Sequence, residues 1–205
     1  MNFKRLFFLI LTFVVAISFI YLSSSIKNIS MISALVTIGT ENTDYNLLVK
    51  NMSKDPSVGE ETKIKIFIGP YKDLRLSSGR LEYDGDTYYI FIDSSFYNSI
   101  NPDEKEVLIA HEMGHISHRF TKIDKLKFWF WRIFTESASA KYKEELIETG
   151  YQISADDFAA KHISPEATIN LLNKLYPSED GRKSMDYKVR MLNLATLPKE
   201  ALQKH

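Results

Sequence analysis

Five consecutive residues, His111-Glu112-Met113-Gly114-His115, constrain this 205-residue chain more than any other stretch. Positions four apart lie on one face of an α-helix, one turn above the other, so a helix here turns both imidazoles to the same side with a carboxylate beside them. The flanking residues read as such a helix. Asn101 is a good N-cap, Pro102 suits the first helical position, and Glu104 stands where a capping-box carboxylate belongs, which predicts a helix from Pro102 to about Phe120. The donor set fits zinc, which takes nitrogen and oxygen ligands in a tetrahedron and, in catalytic sites, keeps one vertex for water. The ion lowers the pKa of that water toward about 7, and a neighbouring carboxylate takes its proton as it attacks a carbonyl. His111 and His115 are therefore the expected metal ligands and Glu112 the expected general base. Gly114 has no side chain, so another segment can close against this helix, although glycine there costs about 1 kcal/mol relative to alanine.

Charge and composition narrow the classes around this motif. Lys plus Arg and Asp plus Glu both number 26, giving no net charge and none of the basic footprint of a nucleic-acid binder. The absence of cysteine excludes a disulfide framework and a thiolate metal site. A hydrophobic share of 44% supplies a real core.

Near the amino terminus, Lys4 and Arg5 precede an apolar run from Leu6 to Leu22 interrupted only by Thr12 and Ser18. Its length meets the lower limit of a bilayer span, about 17 residues. Three readings stand: a signal-anchor helix, a cleaved signal peptide, or a buried helix. The anchor is preferred because the run is longer than a signal-peptide core and no A-x-A site follows it. The positive-inside rule then leaves Lys4 and Arg5 in the cytoplasm, with a single pass and an extracytoplasmic domain.

Residues 1–25 are thus read as the anchor, 26–62 as a connecting region, 63–194 as the domain and 195–205 as a tail. Within 26–62, Met31 to Ile38 is apolar enough to form a short element packed on the domain or on the membrane. Ile64, Ile66 and Ile68 alternate with Lys63, Lys65 and Phe67 at the period of a half-buried strand. Arg80 to Tyr83 and Thr87 to Ile92 flank Asp84-Gly85, a favoured hairpin dipeptide, and together predict a small antiparallel sheet. Helices follow over about 133–149, 153–163, from Ser164-Pro165-Glu166 onward, and over 185–194, with breaks at Gly150 and Pro165. The fold class is α+β, strands first and a helical half after.

The stretch Ile90 to Arg119 (IFIDSSFYNSINPDEKEVLIAHEMGHISHR) resembles the HtpX-like membrane-associated gluzincins, whose motif has the form A-H-E-x-G-H. Ala155-Asp156-x-x-Ala159 is similar to the second half of that family's E-x-x-A-D-x-x-A helix, and Tyr187 to Leu194 to its closing Arg-containing helix. Ala155 to Pro165 also resembles the ImmA/IrrE-type metallopeptidases. The resemblance covers roughly Lys63 to Leu194. It implies a zincin-like domain, a zinc-dependent endopeptidase acting at or near a membrane, and a peptide or protein substrate lying as an added strand beside the Arg80–Ile92 hairpin.

Both families take their third zinc ligand from a Glu, and the matching position is Gln152. Its amide oxygen is neutral and a weaker ligand. Asp156, one turn on, brings a negative charge and is the preferred third ligand, with Gln152 and Glu148 as alternatives; at the position of Asp156 the family has a group that supports the ligands. Tyr187 and Arg190 are the available donors for an oxyanion, although a structural salt bridge accounts for Arg190 equally well. His118 is read as a solvated histidine or one that supports the ligands, and His162 and His205 as solvated surface residues. The aromatic and basic segment Lys125 to Phe134, with Trp129 and Trp131, suits either an interfacial anchor or a lid over the core. An inactive or weakly active metal-binding or partner-binding protein, lacking the third Glu, is the alternative function.

Overall fold

The three alternating isoleucines form a strand, as their period requires, and its place in the sheet explains the rest of the architecture. The computed structural model describes residues 3–71, 79–117 and 137–197. In chain order these form α1 (Phe3–Ile38), β1 (Thr40–Glu41), α2 (Asn46–Met52), β2 (Lys63–Gly69), β3 (Gly79–Tyr83) and β4 (Thr87–Asp93). The helical half follows as α3 (Ser94–Ser99), α4 (Pro102–Ser117), α5 (Ser137–His162), α6 (Pro165–Leu175), α7 (Glu179–Arg182) and α8 (Met185–Thr196). The chain is α+β with a small sheet and mostly helices.

The strand order is β1-β2-β4-β3. β3 and β4 form the expected antiparallel hairpin, but β2 and β4 run parallel, with Ile66 opposite Ile90 and Ile68 opposite Ile92. The sheet is therefore mixed, not antiparallel. After β2 the chain passes to the outer edge, returns as β3, and only then enters β4 beside β2; alternation along each strand does not encode that order. The hairpin turn also shifts by one residue. Tyr83 pairs with Tyr88, so the turn centres on Gly85-Asp86 rather than Asp84-Gly85. Gly85 has φ 115°, a conformation glycine adopts without a steric penalty, and Asp84 Oδ1 accepts from the Asp86 and Thr87 amides at 2.9 Å each.

Both faces of the sheet are covered. Ile66, Ile90 and Ile92 point toward α4, in one core with Val107, Leu108 and Met113. Phe67 and Phe91 point the other way, onto Ile32, Leu35 and Tyr71. β2 is thus buried on both sides in its second half, where a half-buried strand was expected. The cover on the second face comes from α1, which runs unbroken to Ile38 through the stretch read as connecting. Tyr71 donates its hydroxyl to the Leu35 carbonyl at 3.0 Å, and Asn28 Nδ2 donates to the Tyr83 carbonyl at 2.9 Å. Met52 and Val58, also inside 26–62, belong to the main core. Among the described residues no helix is long and apolar enough to cross a membrane, so the fold itself does not supply the membrane helix read into Leu6–Leu22.

The helical half departs from expectation at Gly150. α5 continues straight through it. Glycine lowers helix propensity by about 1 kcal/mol, and a helix of this length, packed on α4, α6 and α8, absorbs that. The Pro165 break holds: Ser164 caps α6, its side chain accepting from the Ala167 amide. Asp55 ties the loop after α2 to the end of α5, accepting from Lys161 at 2.8 Å and from His162 at 3.1 Å. Burial pushes the Asp55 carboxyl up, but the bonds from Lys161 and Ser57 outweigh it and hold the group well below the usual carboxylate range. His162 is therefore a partly buried tie and not a solvated residue. His118, His205 and the Lys125–Phe134 segment lie outside the described residues.

Leu35 is 3% exposed and Leu47 is 70% exposed. Leu35→Ala is expected to cost about 2–5 kcal/mol, as a buried large-to-small change does, while Leu47→Ala stays within about 0.5 kcal/mol. Denaturant midpoints of the two variants check this.

Candidate metal centre

The helix carrying the motif begins as the sequence dictates. Asn101 Oδ1 accepts from the Glu104 amide at 2.9 Å, and Glu104 Oε2 accepts from the Asn101 amide at 2.8 Å, a complete capping box. The same Glu104 oxygen accepts from Lys174 at 2.6 Å, which ties the start of α4 to α6. α4 then runs under the sheet with Val107 through Gly114 all buried.

On α4, the His111 and His115 ring centroids lie 4.8 Å apart with planes at 86°. Glu112 is buried between α4 and the start of β3, and burial raises its carboxyl above the ordinary value, with His111 acting in the opposite sense. Gly79 opens β3 against this carboxylate: a Cβ there would lie 2.7 Å from Glu112 Oε1. No signal in the sequence marked Gly79, because the close approach exists only once β3 is the edge strand over α4.

The second helix of the site is α5. Gly114 sets how near it comes, since a Cβ at that position would meet Ala155 Cα at 2.6 Å and Phe158 Cβ at 3.0 Å. Two side chains on this helix then reach His111 from different sides. Gln152 Oε1 is 3.1 Å from His111 Nε2. Asp156 Oδ1 is 2.9 Å from His111 Nδ1. Asp156 also receives Arg190, Nε to Oδ2 at 2.7 Å and Nη2 to Oδ1 at 2.9 Å. Burial would raise the Asp156 carboxyl, but the hydrogen bonds from His111 and Arg190 prevail and hold it below its ordinary value.

The three candidates for a third ligand occupy different places. Asp156 stands behind His111, on Nδ1, with both oxygens engaged; Gln152 is the side chain on the Nε2 side. Glu148 is exposed on the same continuous helix. Both oxyanion candidates have side-chain partners. Arg190 is committed to Asp156, and the Tyr187 hydroxyl donates to Asn173 Oδ1 at 2.7 Å. Among the described residues no group of three His, Cys, Asp or Glu is placed to hold a metal.

The donor set still fits a metal. With its Nδ1 proton donated to Asp156, a neutral His111 presents a lone pair at Nε2, and Gln152 Oε1 is also an acceptor. Such a pair, 3.1 Å apart, shares a hydrogen bond when Nε2 carries a proton and offers two metal donors when it does not. That separation is near the edge of a tetrahedron with metal–ligand bonds of about 2.0–2.1 Å, roughly 3.3 Å. A carboxylate–histidine pair behind the ligand nitrogen is also the usual support of a metal-binding imidazole.

The chain matches no protein-family model, no curated protein and no solved structure.

Gly114→Ala presses a methyl group onto the Ala155 backbone, which cannot rotate away. A loss of about 1–3 kcal/mol is expected from this overpacking, read as a lowered thermal midpoint.

Proposed function

We propose that the chain is a zinc-dependent endopeptidase of the HtpX-like gluzincin kind, with His111, His115 and Gln152 holding the ion and Glu112 as general base. The observation that carries this reading is the meeting of His111 Nε2 and Gln152 Oε1 at 3.1 Å beside the buried Glu112 carboxylate. A bound zinc supplies a Lewis acid and an acidified water. The protein's own part is clearer in detail. Glu112 is buried, which raises its carboxyl above the ordinary value and favours proton uptake, and Asp156 orients the His111 ring. Gly79 leaves the Glu112 carboxylate in place while bringing the β3 edge beside it. Among the described residues β3 is an edge strand of the sheet, and such an edge suits a peptide substrate laid alongside as an added strand.

Anchorage at a membrane is the second part of the proposal, and it rests on the sequence of Leu6–Leu22. Lys4 and Arg5 orient a single pass with the domain outside the cytoplasm. α1 leaves the sheet on the face opposite α4, so such an anchor does not cover the site. A full-length chain that washes off membranes in carbonate overturns this part alone.

One observation favours a second reading, a metal-binding or partner-binding protein of little activity. Gln152 is neutral, so the ligand set brings no charge to offset a dication. Two variants separate the readings. Glu112→Gln is expected to keep zinc while peptide hydrolysis falls by about 10²–10⁴-fold, the usual share of general acid–base catalysis. Gln152→Glu is expected to hold zinc more tightly and to raise hydrolysis. A wild-type chain that binds about one zinc but hydrolyses no peptide, with or without Gln152→Glu, supports the second reading. Gly79→Ala tests the place of β3: its methyl group meets the end of a side chain, so the fold is expected to hold while hydrolysis drops at least tenfold.

A further inference from the structure

Arg190 lies on the last helix, 34 residues from its partner, and is 4% exposed. Its guanidinium meets Asp156 in a two-point fork, and one of the two carboxylate oxygens it grips also faces His111 Nδ1. A carboxylate held at one point rotates about its last bond; held at two by a planar fork, it does not. The fork therefore fixes where Oδ1 points, 2.9 Å from His111 Nδ1.

Joining α8 to α5 does not require this ion pair. Ala160, Leu172 and Leu194 pack the two helices together with α6, and Asn193 Nδ2 donates to Asp157 Oδ1 at 2.6 Å. Buried ion pairs also contribute little net stability compared with apolar groups of similar volume. What the fork adds is orientation.

We propose that Arg190 is a positioning residue for the metal site: by fixing the plane of Asp156 it holds His111 in its Nδ1–H form, with Nε2 turned to Gln152. This rests on the reading of His111 as a metal ligand, yet it has a consequence in the metal-free chain. There, nitrogen NMR of the full-length protein is expected to show His111 protonated at Nδ1. Arg190→Lys keeps the charge but loses the fork, and is expected to give a mixed population of the two ring forms. Zinc affinity, measured by chelator competition, is expected to fall by about 10–100-fold in that variant, the usual effect of disturbing a ligand's support. In an Asp156→Asn background the Arg190→Lys change is expected to add no further loss of affinity. Lys174→Met breaks the comparable tie between Lys174 and Glu104 at the other end of α4 and is expected to lower the thermal midpoint with zinc affinity unchanged.

A folded Arg190→Lys protein with the wild-type ring form and wild-type zinc affinity overturns the proposal. So do additive losses in the double variant. A wild-type chain with His111 fixed as Nδ1–H that binds no zinc overturns the metal reading and leaves the positioning by Arg190 standing.

Discussion

The approach of α4 and α5 at Gly114 and Ala155 is the contact on which the rest of the site depends. A larger side chain at either position separates the helices, and both groups that reach His111 come from α5. With Gly114 bare, the α5 backbone comes within contact of α4, and Gln152 and Asp156 reach the two nitrogens of one imidazole. The glycine lowers the propensity of α4, and the capping box at Asn101 and Glu104 offsets part of that at the start of the same helix.

The mixed sheet separates two jobs. One face carries α4 and the donor groups, and the other takes the end of α1 through Ile32, Leu35 and Tyr71. The helix arriving from the amino terminus thus meets the domain on the side away from the donors. β3, the outer strand, belongs to the sheet and touches the site at once, because Gly79 allows its backbone to lie against Glu112. The electrostatics follow the same division of space. Burial dominates at Glu112 and its carboxyl rises despite His111 nearby; Asp156 is buried with hydrogen bonds from His111 and Arg190 and its carboxyl falls. Two acids in one small region are given opposite characters by their neighbours.

Local rules were legible wherever a residue's job is done by its near neighbours. Asn101, Pro102 and Glu104 announced the start of α4, Ser164 and Pro165 the start of α6, and the alternating isoleucines β2. Gly150 misled, because a breaker signal weighs one residue's propensity against a helix whose packing lies far away in sequence. The turn at Gly85 was placed one residue off, since its centre is set by the pairing of Tyr83 with Tyr88.

By itself the sequence determined that two histidines and a carboxylate share one face of a capped helix, since helical periodicity alone puts them there. It also determined that Gln152 and Asp156 share a face of a second helix, one turn apart. Only the tertiary structure decided which of those two meets which nitrogen of His111. That choice depends on the height and rotation of α5 against α4, which Gly114 and Ala155 set by steric contact, and on Arg190, which arrives from a third helix to claim Asp156. Periodicity specifies a face; contact between helices specifies what that face touches.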